Sequence, residues 1–465
     1  MRGIKLFLTL TSALVVAMGL LKVFDRFSHP FVLLSIVFMF FIFMLAALAL
    51  RKKHLLLYPV LFAFPVMELR FPDVSVFAFI LIPVALIFSN ELGKFISKKW
   101  DWRYAIPLMI FLGIFIFTTL TAPYKFEAIR HASFFIPAIL LYLVLCSMMK
   151  TVKDFEMLWC SMILMCSFAV AISVIQLIFG INAVKFFFFE YNVNVDMYGA
   201  ARRIPSMFSD AQVAGQYFAV MALALSAYAT LGFKWARYAK LLAFGVIACQ
   251  LLTISRSATF GLVLGWAFVK FLSGAQRLIF MILLFGVIIL LLKEPIYEHL
   301  PDSIKLRFNP VQQTEDARFR MRIWEDSYPI IEHYPLFGVG FGGLNVFKAG
   351  DDIGVKFFRV FADNPKNRKY THFENSYLDF LCSVGVVGFG ALVWLMGIFF
   401  IQAIRSLPSL PLRNTLAVKC LLGALFAWIL PCGTSPLLAQ SQPTMVLAVV
   451  MASIYFLIQY SKEDQ

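Results

Sequence analysis

Residues 374–402 read ENSYLDFLCSVGVVGFGALVWLMGIFFIQ. After Asp379 no charge interrupts the chain until Arg405. A helix needs roughly 20 apolar residues to cross the hydrocarbon core of a bilayer, and this stretch supplies them. Similar runs lie at 4–21, 30–50, 54–68, 73–90, 105–121, 131–149, 155–180, 211–231, 237–254, 257–272, 276–292, 414–432 and 443–460. Pro59 and Pro65 interrupt the third of these, and several others are short, so the expected count is about 12–14 spans. Long unbroken runs exclude a membrane β-barrel, which would show short alternating segments. The chain is 61% apolar and 14% charged over 465 residues. That composition is expected to give an all-α, polytopic transmembrane helical bundle.

The start of the chain, with Arg2 and Lys5 ahead of an apolar run, reads as a retained first span. No small-residue cleavage site follows it. The seven cysteines sit in or beside apolar runs without Cys-x-x-Cys spacing, so they read as packing residues rather than metal ligands. No metal or other cofactor is expected. The formal net charge is +15. In a soluble protein that balance would raise nucleic acid as a partner. Here no basic–aromatic soluble module accompanies it, and basic loops facing membrane lipids account for it.

The charges also orient the bundle. With the N-terminus inside, the inner loops hold Arg51–Lys53, Lys94, Lys98, Lys99, Arg103, Lys150, Lys153, Lys234, Arg237, Lys240, Arg405 and Arg413. The short outer loops hold fewer basic residues. Both termini are therefore expected on the inner, cytoplasmic side of the membrane. One polar stretch stands out: residues 293–373, between transmembrane regions 1–292 and 374–465. It carries twelve of the 41 Lys and Arg residues. Connections of this length usually have a function of their own, and this one is expected on the outer face of the membrane.

Four segments on the outer side carry the candidate chemistry. Arg202 and Arg203 precede Ile-Pro-Ser-Met-Phe-Ser-Asp at the mouth of the 211–231 run. Paired guanidiniums suit a phosphate or pyrophosphate; an interfacial anchor is the competing reading. Ser255-Arg256-Ser257 fills a tight turn between two runs, where an arginine either snorkels to the interface or faces a polar cavity. Arg318, Arg320 and Arg322 precede Trp324. Glu315–Pro329 is expected to form a surface helix, with Ile323 and Trp324 at the membrane interface. On it Arg318 and Arg322 share a face and Arg320 lies on another. The glycines of Pro335-Leu-Phe-Gly-Val-Gly-Phe-Gly-Gly read as a turn back to the membrane, since no strand–turn–helix unit makes them a nucleotide loop. Last comes Thr371-His372-Phe-Glu-Asn375. His372 at a helix start, with Asn375 one turn on, can take a proton from a hydroxyl, although a lone histidine also serves structural ends. Gly385, Gly388 and Gly390 are expected to allow close helix packing. Asp351-Asp352 reads as a solvated pair.

In this order the segments resemble the O-antigen ligase and O-antigen polymerase superfamily of bacterial envelope glycosyltransferases. Arg203 with its Phe-Ser-Asp resembles that family's arginine-bearing outer loop, and Ser255–Ser257 its Ser-Arg turn. Arg320 with Trp324 and the glycine-rich turn resemble its large loop. His-x-x-Asn-x-x-Leu followed by Gly-x-x-Gly at 372–388 resembles its closing motif. The resemblance covers about the C-terminal 270 residues. It implies metal-independent transfer of a glycan from undecaprenyl pyrophosphate to lipid A–core or to another glycan acceptor, on the periplasmic side. It also implies His372 as base and Arg203, Arg256 and Arg320 on the donor, with Arg202, Arg322 and Asn375 in support. Ligase and polymerase, including exopolysaccharide polymerase, share these motifs. Outside this class, a lipid-linked glycan transporter would show ionisable residues near mid-span, and the span centres here hold almost none. A non-catalytic envelope scaffold is the remaining reading.

Overall fold

Asp210 marks how the centre of the bundle begins. Its side chain accepts from the backbone N–H of Gln212 and starts a helix at Ala211; Gly232, in the left-handed region at φ 73°, ends it after Leu231. Between these caps lie Ala, Val, Leu and Met with no charge, and 83% of its most apolar window is buried inside the protein. The structure is a computed structural model that describes residues 70–71, 74–75, 93, 102–132, 136–181, 203–208, 210–274, 310–355, 357, 373–434 and 441–463. The expected runs at 4–21, 30–50, 54–68 and 276–292, and nearly all of 73–90, lie outside the described residues.

In chain order the described elements begin with a two-residue antiparallel ladder, β1 (Arg70–Phe71) and β2 (Val74–Ser75), so the 73–90 run opens in extended backbone. Every other described element is helical. They are α1 (Trp102–Thr121), α2 (Lys125–Ala132), α3 (Ile136–Met148), α4 (Val152–Phe179), α5 (Ala211–Leu231), α6 (Ala236–Leu252), α7 (Arg256–Leu272), α8 (Pro310–Glu325), α9 (Tyr328–His333), α10 (Gly343–Asp352), α11 (Ser376–Ser406), α12 (Leu412–Ile429) and α13 (Ser441–Glu463). Among the described residues five helical segments are long and apolar enough to cross a membrane: 152–179, 211–231, 376–409, 412–433 and 443–461. Lys125–His131 and Ile136–Met148, bent by 42° from one another, are apolar enough together to make a sixth if they form one span. The expected run at 131–149 holds α3, and α2 precedes it. The protein is an all-α polytopic membrane protein.

Packing follows residue size. α5 lies against α6, α7 and α12, and α11 lies against α1. Gly261 and Gly265 bring α7 onto α12: a Cβ on Gly265 would sit 2.6 Å from the Gly423 carbonyl oxygen, and one on Gly423 2.7 Å from that of Gly265. Without a hydrophobic force between helices inside lipid, such close backbone approach is what holds them. Polar side chains lock particular pairs. Trp159 Nε1 donates to Ser453 Oγ at 3.1 Å, joining α4 to α13. Gln216 Nε2 donates to the Ala427 and Trp428 carbonyls at 2.8 and 3.2 Å, joining α5 to α12.

The bundle has two distinct ends. At one, Thr151 and Asp154 form a capping box that starts α4, and Asn414 Nδ2 donates to Ser461 Oγ at 2.7 Å. Lys150, Lys153, Lys234, Arg237, Arg405 and Arg413 flank the turns there. At the other end lie residues 122–124, the 203–210 segment, the 253–255 turn, helices α8–α10 and the start of α11. Every described candidate arginine is at this second end.

Candidate functional site

Arg203 is carried by a segment that plugs into the bundle. Ile204, Met207 and Phe208 are buried, and Phe208 packs on Tyr217 and Phe218 of α5. Ser206 holds a left-handed φ of 56°. Gln176 of α4 fixes it from both sides, accepting from its N–H at 2.8 Å and donating to its carbonyl at 2.9 Å. The Ser206 hydroxyl donates to the Ala169 carbonyl at 2.6 Å. The segment therefore enters α5 in one conformation.

That conformation delivers Arg203 to the turn between α6 and α7. Its Nε donates to the Thr253 carbonyl at 3.0 Å, and Ile204 N donates to the Leu252 carbonyl at 3.3 Å. Ile254 follows with φ 51°, rare for a β-branched residue. Ser255 is the N-cap of α7, without a side-chain cap bond, and Arg256 is the helix's first residue, exposed. So the structure brings Arg203 to the turn that Arg256 closes. The Arg203 side chain is thus bonded to the turn that leads into Arg256, beside the N-terminus of a helix, whose dipole favours an anion. Arg202 lies outside the described residues.

The long loop differs from expectation. The surface helix runs over Pro310–Glu325 and stops; Pro329 sits in the first turn of a new helix, α9, because proline is tolerated there. Ile323 is not at a lipid interface. It is 2% exposed, in a small cluster with Ile330, Phe373 and Cys382, and Trp324 packs against that cluster. Arg318 and Arg322 are exposed. Arg320 turns the other way, and its Nε lies 3.7 Å from Glu374 Oε2.

The glycine turn does more than return the chain. α11 is broken at Gly385, φ 64° and ψ −173°. The turn repairs the break: Val339 and Gly340 donate to the Cys382 and Ser383 carbonyls at 2.8 and 2.9 Å, and Val386 and Val387 donate to the Pro335 and Leu336 carbonyls at 2.8 and 3.2 Å. A polar backbone group left unpaired inside a membrane costs several kcal/mol, so these four bonds explain how a broken helix persists. Gly385 therefore allows close approach of the loop backbone, where a Cβ would meet Leu336, rather than of a neighbouring helix as expected. Gly388 does pack, since a Cβ there would sit 3.1 Å from Ile114 of α1; Gly390 has nothing within 4 Å.

His372 lies outside the described residues, and with it the expected sharing of a helix face with Asn375. Asn375 itself is not in the helix. Asn375 is the N-cap, at φ −150° and ψ 107°, and its Oδ1 accepts from the N–H of Tyr377 and Leu378 at 3.0 and 3.3 Å. Glu374 is left-handed at φ 53°, and Phe373 N donates to Asp379 Oδ1 at 2.8 Å. Helical geometry starts only at Ser376.

Sequence reasoning missed a polar cluster on α2. Glu127 and Arg130 are buried, with Glu127 Oε1 2.6 Å from Arg130 Nη2 and 3.2 Å from His131 Nε2. Gly342 rests on Glu127, where a Cβ would meet the carboxylate side chain at 2.4 Å. Beside it Asn345, fully buried, accepts from Tyr124 N at 2.8 Å and donates to Tyr124 O at 3.2 Å. The i, i+3, i+4 spacing of Glu127, Arg130 and His131 was the available signal. Asp352 pairs with Lys348, whose ammonium is held above its usual range by that hydrogen bond and charge. Among the described residues no group of three His, Cys, Asp or Glu side chains assembles as a metal site.

Residues 241–393, from α6 through the break in α11, match a family model described as O-Antigen ligase. No curated protein matches the chain.

Proposed function

We propose, from the match of residues 241–393 to the O-antigen ligase family model, that the protein is an O-antigen ligase-like glycosyltransferase that moves a glycan from undecaprenyl pyrophosphate to a sugar hydroxyl of lipid A–core at the periplasmic face, without a metal. The observation that carries this reading is the bond from Arg203 to Thr253, which sets a second guanidinium on the turn that ends at Arg256. In the proposed step the acceptor oxygen attacks the anomeric carbon as the bond to pyrophosphate breaks, inverting that centre. His372 takes the hydroxyl proton, and undecaprenyl pyrophosphate leaves with the bonding electrons. Arg203 and Arg256 hold the charge that grows on the leaving group. Preorganised donors contribute several kcal/mol in such a step.

Two measurements on purified protein test this. His372→Ala is expected to lower turnover by about 10²–10⁴-fold; turnover at the wild-type rate removes the base. Arg203→Ala with Arg256→Ala is expected to weaken donor-lipid binding at least about tenfold; unchanged affinity removes the clamp. A gel of surface polysaccharide from a deletion strain separates acceptors. Loss of every cap, including single repeats, identifies a ligase, and one surviving repeat identifies a polymerase.

A further inference from the structure

Residues 373–375 form a short arm between the long loop and α11, and the arm is held from several sides. Phe373 N is tied to Asp379 and Asn375 caps α11; both ties are local to the start of that helix. Two others reach the arm from the loop. The Phe373 ring packs with Ile323 and Ile330, and Arg320 faces Glu374 across 3.7 Å, each side chain 28% exposed. Glu374 itself is strained. A non-glycine residue in the left-handed region costs about 1–3 kcal/mol and persists where its surroundings over-determine it.

We infer that Arg320 is a positioning residue: by pairing with Glu374 it fixes the arm that follows His372, and it does not itself bind the diphosphate. The inference rests on the proposed role of His372 as base. Its grounds are geometric. Arg318 and Arg322 occupy the exposed face of α8, whereas Arg320 is turned away from them onto the arm. Arg203, in contrast, is bonded to the Thr253 carbonyl, on the turn that leads into Arg256. A base displaced by about 1 Å loses up to about a hundredfold in rate, so a single ion pair on a strained residue next but one to it is well placed to control turnover.

The test is a charge exchange in the full-length protein in lipid nanodiscs. Arg320→Ala and Glu374→Ala are each expected to lower kcat about tenfold or more, with the donor KM unchanged. The double alanine variant is expected to be no worse than the poorer single one, because the two residues act as a unit. Arg320→Glu with Glu374→Arg is expected to recover most of the lost kcat. A tenfold rise in donor KM for Arg320→Ala beside wild-type kcat for Glu374→Ala would overturn the inference and make Arg320 a ligand. So would an exchanged pair that folds, by its Tm, yet is no better than the single variants. If His372→Ala keeps full turnover, the base reading fails on its own. Amide hydrogen exchange over 373–379 then still decides the coupling: both alanine variants must speed it, and unchanged exchange in either sinks the inference.

Discussion

Two interruptions of helical backbone lie at the same end of the bundle, and they are closed in opposite ways. At 253–255 the chain turns between α6 and α7, and the segment just ahead of α5 stitches the turn shut, with Arg203 and Ile204 donating to Thr253 and Leu252. At Gly385 the break falls inside one helix, and a loop turn some 45 residues earlier supplies the missing bonds. The first site tolerates Ile254 at φ 51°; the second uses glycine at φ 64°. A left-handed isoleucine survives where the neighbouring helices are already fixed by buried packing. Glycine is needed where a second backbone approaches, since a Cβ on Gly385 would lie 2.3 Å from the Leu336 carbonyl oxygen. The lesson is that steric room, more than backbone angle, decides which residue an interruption requires.

Substitutions can break or sharpen that contrast. The largest effect is expected from Gly385→Ala, which adds both strain and a backbone clash; it should destabilise by about 3 kcal/mol or more, read by denaturant titration in detergent, and should expose the loop to protease. Next comes Arg203→Lys. It removes the Nε donor to Thr253 while keeping the charge, and about 1 kcal/mol should be lost. A loss as large as that of Gly385→Ala would mean that the two closures are alike after all. Ile254→Gly relieves strain of about 1–2 kcal/mol but gives up a half-buried side chain, so the melting temperature should barely move. The only favourable change is expected from Gly390→Ala, in the same helix as the break but with open space around it. It should stabilise by about 0.5–1 kcal/mol; destabilisation there would show that α11 needs flexibility beyond its break.

Hydropathy located the described spans well. The 211–231 run and α5 coincide, and 155–180 and α4 differ by only a few residues at their starts and one at their ends. A continuous apolar pattern reports burial in lipid regardless of backbone geometry, and for that reason it hid the break in α11: Val384-Gly385-Val386 reads as an ordinary part of a span. The polar loop was legible as a feature, but its inner packing was not, because Ile323 and Phe373 are far apart in sequence and meet only in the folded chain. Among the candidate residues, the tight spacing of Ser255-Arg256-Ser257 already announced a turn. The role of Asn375 was misread because His-x-x-Asn spacing was placed on a helix that starts after it. The buried Glu127–Arg130 pair escaped notice since α2 is only eight residues long and adjoins an apolar run.

The repair of α11 also sets an order for synthesis. Pro335–Gly340 precedes Val384–Val387 in the chain, so the donors and acceptors that complete the broken helix leave the ribosome before the helix does. When α11 is made, the turn that fills its gap already exists, and a span that would be defective alone can be completed by backbone synthesised before it.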